Sequence, residues 1–376
     1  MNNGNNFLPY IRRVLQEMPP KFDPPTEGWL RHSGLDTGKI LPMGLNECLF
    51  PPSPRVIDAI RDALALINRY PDAQCPALSD AITARTGIPV QHIVWGNGSE
   101  ELIQGCLALA VSPGDSVVLP TPTFWGYRAM IRASGAQLVE APNRDDGMPD
   151  VDKIIACARA GARIAFCITP SNPSGAMLPR QDLEKLAAQV PENTILFIDE
   201  AFYEFGVHAG APDMLEILAK RKGPWIVART FSKAYALAGM RVGYALCASE
   251  LLAQALKKTT CVFNVPILAQ AAALAALDDS AHLKWILDTI AAGRTQLIAG
   301  LRAMRLSPMN SVGNFVSVRL SISGAAAVKA MLARNVQINA WADPGFEHYI
   351  RITVGSAEQN SACLEALEAT LAQAGV

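Results

Sequence analysis

The chain predicts an α/β fold with a mostly parallel sheet, joined to a smaller α+β unit, and three observations carry that expectation. First, from about Ile93 to Leu246 short β-rich apolar runs alternate with amphipathic stretches, which implies crossover connections and helices covering a parallel sheet. Second, after about Cys261 the texture changes to a long Ala/Leu-rich helical region followed by two short strand-like runs around a helix. Third, 376 residues, half of them hydrophobic, exceed the size at which one core stops growing, so one large unit and a smaller one are expected.

In chain order, the Pro-rich head to about Pro54 reads as an extended arm, with "PPKFDPP" and "FPPSP" as breakers. The expected strands are "HIVWG", "SVVLP", "QLVEA", "RIAFCIT", "TILFID", "WIVAR" and "VGYAL", with helices at "EELIQGCLALA", "TFWGYRAMIRAS" and "RQDLEKLAAQV" among them. Beyond them, "NFVSVRL", "AAVKAMLARN" and "YIRITVG" form the small unit. The expected division is an N-terminal arm and part of the small domain over 1–54, a large domain over 55–260 and a small C-terminal domain over 261–376. No internal repeat or low-complexity tract interrupts this order.

Composition narrows the function. A formal net charge of -1 argues against a bulk electrostatic role on nucleic acid or anionic membranes. The eight scattered cysteines contain no CxxC pair and read as free thiols of a reducing compartment. The five histidines lack ligand spacing, so no metal is expected. No signal peptide or bilayer-spanning run is legible, and a cytoplasmic protein is predicted.

In open α/β sheets ligands gather beyond the C-terminal strand ends, and five such places hold reactive or polar residues. In "VWGNGSEELI", Gly96 and Gly98 end a strand before a helix, so backbone N–H groups and a positive dipole end face an anion. A dinucleotide fingerprint would need a third glycine where Glu101 stands. Glu100 and Glu101 would repel a phosphate unless their side chains turn away, which leaves Ser99 and backbone amides to hold it. In "PTPTFWGY", Phe124 is placed to stack on a flat ligand, or to fill the core. In "TPSNPSG", Asn172 is a ligand donor or a turn residue. In "NTILFIDEAFYEF", Asp199 and Glu200 end an apolar strand; alternation sends them to opposite faces, and a buried Asp199 wants a cation.

The fifth place is "ARTFSKAYALAGMRVGYAL". Lys233 lies among Phe231, Ala234 and Tyr235, between the hydroxyls of Thr230 and Ser232 and the later Arg241. Arginine and hydroxyls suit an anion, while burial and a nearby cation lower a lysine's pKa and make it a nucleophile toward carbonyls. A structural lysine paired with an acid is the alternative. Together the five places ask for a phosphate, a planar ring, a ring cation and an aldehyde, all of which pyridoxal phosphate carries.

Here the chain resembles a known family. "NRYPD", "GNGSEELI", "PTFWGY", "NPSG", "DEAFYEF", "TFSKAYALAGMRVGY" and "YIRITVG", in that order, resemble the fold type I pyridoxal-phosphate aminotransferases, most closely the histidinol-phosphate aminotransferase branch, from about Asn46 to the C-terminus. The resemblance implies that Lys233 links to the cofactor aldehyde and shuttles the proton, and that Asp199 holds the pyridine nitrogen protonated. It implies that Phe124 stacks on the ring, that Asn172 donates to the phenolic oxygen, and that Thr230, Ser232, Arg241, Gly98, Ser99 and Glu100 form the phosphate cup. Tyr70 resembles a tyrosine that reaches the neighbouring subunit's phosphate, implying a homodimer with shared sites. Arg351 matches the binder of the substrate carboxylate, with Asn46 beside it in the substrate site.

Three positions depart from that pattern. Phe202 stands where the family carries a tyrosine, and Tyr203 is expected to point to the other face of a strand. Asn339 stands where an arginine contacts the phosphate of histidinol phosphate, and "NENPF" becomes "NECLF" at Cys48 and Leu49. The expected function is amino transfer between a small-molecule amino acid or amine and a 2-oxo acid by a ping-pong mechanism, on a different substrate, aromatic or otherwise apolar, as readily as on histidinol phosphate. The alternative is a decarboxylase resembling the threonine-phosphate decarboxylases. A transcriptional ligand sensor would need a DNA-binding module, and none is legible. A nicotinamide dehydrogenase would need the missing glycine and an acidic ribose partner.

Overall fold

The computed structural model describes residues 11–19, 24–341 and 343–375. Of the predicted arm, residues 1–10 and 20–23, the latter inside "PPKFDPP", lie outside the described residues. The described part of the arm is not extended throughout: it holds short helices at Arg13–Glu17 and Glu27–His32. The second forms because the Thr26 side chain accepts from the Trp29 N–H, with Glu27 in the first turn and Arg31 and His32 in the last.

The strands, in chain order, are β1 (Leu41–Pro42), β2 (Ile93–Gly96), β3 (Ser116–Thr121), β4 (Gln137–Pro142), β5 (Ile164–Ile168) and β6 (Ile195–Asp199). They continue with β7 (Trp225–Thr230), β8 (Gly243–Cys247), β9 (Phe315–Arg319), β10 (Val336–Gln337), β11 (Asn339–Ala340) and β12 (Tyr349–Thr353). The central sheet has seven strands in the order β2-β8-β7-β6-β5-β3-β4. All neighbours pair in parallel except β8, which runs antiparallel to both β2 and β7. The α/β expectation with a mostly parallel sheet holds.

Burial explains why these runs became strands. Every residue of β5, β6 and β7 is buried, and alternate positions serve two different cores. Ala165, Cys167, Leu196, Ile198 and Val227 pack into the core on one face. Phe166, Ile168, Ile195, Phe197 and Ala228 pack into the core on the other. Helix Ile267–Leu277 lies against helix Pro54–Ala63 in the first of these cores. A third core lies under the small antiparallel sheet β11-β12-β9, covered by helices Ser280–Ala303 and Ala357–Gln373. Pairing of β1 with β10 ties the arm to that sheet's side of the molecule. Among the described residues, no helix is long and apolar enough to cross a membrane.

Alternation also decides where the charges at the end of β6 go. Asp199 continues the face of Ile195 and Phe197, and Glu200 falls on the other. There Glu200 accepts from Arg229 Nε at 2.7 Å, and both side chains are buried. The Arg229 guanidinium also lies 3.4 Å from the centre of the Tyr203 ring. Glu204 is buried close by, and its Oε2 has no hydrogen-bond partner.

Burial lifts the Glu204 carboxyl from an ordinary 4.5 to about 7. Between those values the folded chain keeps a proton that the unfolded chain has released, so stability falls as pH rises across the window. Glu204→Gln should remove roughly 3 kcal/mol of that fall. Urea unfolding of the cofactor-free protein at about pH 5 and pH 8 measures it; equal falls in both proteins would count against the assignment.

Candidate active site

The C-terminal ends of β3, β5, β6 and β7 and the start of β8 meet at one edge of the central sheet. There they face β11 and β12 across a cleft of about 560 Å³. That volume is ample for a cofactor and a small substrate. Lys233, Asp199, Asn172, Phe124, Arg241 and Arg351 all line it, so residues spread over more than 200 positions of sequence are gathered in one place.

Lys233 sits on the turn after β7, anchored by the fully buried Phe231. Its ammonium donates to the Leu45 carbonyl at 3.4 Å and lies 5.9 Å from the centre of the Phe202 ring. Burial first, and then the positive charge of Arg351, push its amine down to about 8. No carboxylate pairs with it among the described residues, as one would with the structural lysine of the alternative reading.

Around it lies an anion cup. Thr230 and Ser232 hydroxyls are bonded at 2.9 Å, and Arg241 Nη1 reaches Ser232 Oγ at 3.5 Å. Arg241 Nη2 bonds the Asn97 carbonyl at 3.5 Å. The N-cap of helix Ser99–Ala110 is Gly98, with Ser99 as the first helical residue. Gly98 has φ +75, and a Cβ there would stand 2.4 Å from Arg241 Nη2, so a side chain at this corner would strain the backbone and push the Arg241 guanidinium aside. Glu101 turns away from the cup and accepts from Asn97 N at 2.6 Å, Asn264 Nδ2 at 2.7 Å and Cys261 N at 3.1 Å. Glu100 lines the cleft.

Asp199 accepts from Tyr127 Oη at 2.7 Å and from Ala201 N at 2.9 Å. Both donors are neutral. Burial raises the Asp199 carboxyl above its ordinary value, and no cation is bonded to it among the described residues. Burial beside this acid holds the Tyr127 hydroxyl far above 10, as a firm donor. The expected buried cation is therefore left for a ligand to supply. Phe124 packs edge-on to Tyr127 at 6.3 Å between ring centres and borders the cleft.

On the opposite wall, Arg351 Nη1 donates to Asn172 Oδ1 at 2.6 Å and Nη2 to the Gly44 carbonyl at 3.0 Å. Arg351 Nε is buried without a partner. Occupying the Asn172 oxygen leaves its NH₂ group as the free end. Burial lowers the Arg351 guanidinium to about 10. Asn46 is buried in a left-handed conformation, with its N–H bonded to Thr353 Oγ1 at 3.0 Å. Phe202 is buried behind Lys233. Tyr203 is not on a strand as expected: β6 ends at Asp199, and Tyr203 opens helix Tyr203–His208 on the Arg229 side.

Tyr70 does not border this cleft. It is 80% exposed and stacks on Phe263 with ring centres 4.7 Å apart. Sequence reasoning missed, among others, Trp125 and Glu47 in the cleft wall and Tyr127, which bonds Asp199 from the buried side. Tyr127 follows Phe124 by three positions at a helix start, a spacing that puts both on one side; nothing comparable marks Glu47.

An amine with a lowered pKa, a buried acid lacking a cation, a flat aromatic and an anion cup that Arg241 closes over Gly98 fit pyridoxal phosphate as a donor set. The chain matches the family described as aminotransferase class I and II over residues 38–367. A histidinol-phosphate aminotransferase of Akkermansia muciniphila is 35% identical over 347 residues, 92% of this chain and 94% of that one. Histidinol-phosphate aminotransferase 2 of Ralstonia nicotianae is 35% identical over 370 residues, 97% of each chain. The crystal structure of histidinol-phosphate aminotransferase from Sinorhizobium meliloti in complex with pyridoxal-5′-phosphate aligns with a TM-score of 0.88 at 29% identity. That alignment covers 97% of this chain and 98% of that one.

Two predictions follow from this geometry. Because only a neutral amine attacks an aldehyde, the rate at which cofactor-free protein captures pyridoxal phosphate should rise about tenfold from about pH 7 to pH 9 and then level off. Stopped-flow absorbance checks this; a rate still climbing steeply toward pH 10.5 would mean an ordinary lysine. Gly98→Ala should displace Arg241 and weaken cofactor binding by on the order of 10–100-fold, read by equilibrium dialysis.

Proposed function

We infer the function from one premise: the chain belongs to the class I and II aminotransferase family, and it is a pyridoxal-phosphate-dependent aminotransferase. The proposal concerns what each residue does. Thr230, Ser232, Arg241 and the Gly98–Glu100 backbone hold the cofactor phosphate, with Ser99 at the positive end of its helix. Phe124 packs on the ring. Asn172, its oxygen held by Arg351, turns its NH₂ to the phenolic oxygen. Asp199 supplies the counter-charge for the ring nitrogen, and Tyr127 and Ala201 N fix its carboxylate in place.

When bound, the cofactor draws electrons from the substrate carbon that loses its proton. Lys233 is the group that moves that proton: with its pKa lowered to about 8, a far larger share of its amine is unprotonated near neutral pH than for an ordinary lysine, and that free base would accept the proton from the substrate Cα. Arg351 holds the substrate carboxylate, beside Asn46. Phe202 offers no hydroxyl to the phenolic oxygen, which leaves Asn172 as that atom's donor in this wall. The observation that carries the reading is the lowered, unpaired amine of Lys233 in one cleft with an acid that has only neutral partners.

Two finer points belong to the same proposal. The exposed Tyr70–Phe263 stack is the surface through which a second copy would receive Tyr70 at its own phosphate cup, giving a homodimer with shared sites. The branch is that of the histidinol-phosphate aminotransferases, by the relatives' names, with amino transfer rather than decarboxylation as the outcome.

Mixing the holoenzyme with an amino donor should convert the yellow cofactor to its amine form, and a 2-oxo acid should restore it. Lys233→Ala should slow this exchange by on the order of 10²–10⁴-fold. Release of carbon dioxide with full recovery of the original spectrum would instead establish a decarboxylase.

A further inference from the structure

The substrate end of the cleft carries an unusual charge count. β11 and β12 pair antiparallel with Asn339 opposite Arg351, so these two side chains stand together on one face. Both line the cleft. Arg351 is thus flanked by a neutral amide. The cations lining the cleft among the described residues are Lys233, Arg241 and Arg351. In the reading above, Lys233 goes to the aldehyde and Arg241 to the cofactor phosphate. Arg351 alone is left for substrate, and one guanidinium neutralises one carboxylate.

Glu47 lies in the same wall. Its backbone carbonyl accepts from Asn314 Nδ2 at 3.3 Å. Its half-buried carboxylate has no hydrogen bond or ion pair among the described residues, yet its charge is felt at Lys233. The half-buried Trp125 borders the same space. A second negative group on the substrate would meet Glu47 and find Asn339 instead of a cation. A positive or N–H-bearing side chain would find an acceptor with no other partner and an aromatic neighbour.

We propose that this site selects amino donors with a single carboxylate and a basic or imidazole-type side chain, and turns away phosphate esters and dicarboxylates, with Glu47 and Asn339 as the selecting residues. The inference rests on the residue roles proposed above. It extends to the second substrate, since the same wall receives the oxo acid: a mono-anionic acceptor such as pyruvate is favoured over 2-oxoglutarate.

The test uses the holoenzyme in its first half-reaction, so that the acceptor does not matter. Spectral conversion of the cofactor is followed with arginine, ornithine, lysine and histidine, with phenylalanine and leucine, and with glutamate, aspartate and histidinol phosphate. In the wild type the best basic or imidazole donor should exceed the best dianionic donor by about tenfold or more in rate over apparent Kd. Glu47→Gln should lower the basic-to-neutral ratio by about tenfold, and Asn339→Arg should raise glutamate or histidinol phosphate by about as much. A wild type that favours glutamate or histidinol phosphate overturns the substrate inference and leaves the residue roles standing. So does a Glu47→Gln variant that slows basic and neutral donors by one common factor. If no donor converts the cofactor, both fall. The wild-type ranking needs no variant, so a misfolded substitution does not rescue the idea.

Discussion

The site depends on the reversal of one strand. In a parallel sheet each strand delivers its C-terminal end to the ligand edge, and the chain then leaves by a crossover. After β7 it does not leave. β8 runs antiparallel to β7, with Thr230 opposite Gly243, so residues 231–242 stay entirely at that edge. Thr230, Ser232, Lys233 and Arg241 therefore come from one short connection and face one cleft. A crossover helix in its place would carry Arg241 to the far side of the sheet. The reversal also explains Gly243: a Cβ there would stand 2.7 Å from the Ser99 N and 2.8 Å from the Arg229 carbonyl. The first residue of β8 must let the start of helix Ser99–Ala110 close over the cup.

A second constraint acts one strand away. β6 stops at Asp199, and the pleat sends Asp199 and the following Glu200 to opposite faces of the sheet. Glu200 meets Arg229, a buried ion pair that satisfies its charge. Asp199 meets Tyr127 and a backbone N–H, which satisfy its lone pairs but not its charge. A buried carboxylate tolerates that state only by rising in pKa or by receiving a cation. The same two-residue step therefore makes one acid structural and leaves the other poised for a charged ligand.

Much of this was legible in the sequence because burial on both faces forces a plain pattern. The seven expected strands correspond to β2 through β8 because their positions serve cores on both faces, and each polar residue after an apolar run marks a strand end. Lys233, Asp199, Asn172, Phe124, Arg241 and Arg351 were singled out on that basis or by resemblance, and they share one cleft. What was not legible depends on packing between distant segments. Glu47 enters the wall because Arg351 and Asn314 hold residues 44–47 through backbone carbonyls, and carbonyl bonds leave no mark on side-chain identity. Tyr203 was misread because the end of a strand cannot be fixed from apolar residues that continue into a helix. The helix at Glu27–His32 was missed because flanking prolines suggested an extended chain, while a single capping threonine sufficed.

The lowered amine of Lys233 requires explanation, since three acids border the same cleft: Asp199, Glu47 and Glu100. Opposite charge nearby ordinarily keeps a lysine protonated. Here burial acts first and Arg351 second, ahead of Glu47, Arg241 and Asp199 in that order. Asp199 has the smallest influence of these, and its two oxygens are engaged by Tyr127 and Ala201 N. Glu47 acts more strongly than Asp199 and partly offsets Arg351. The reactivity of the lysine thus depends on burial first and then on the balance between Arg351 and Glu47. The wall that sets what enters the cleft also sets the protonation of the amine that receives it.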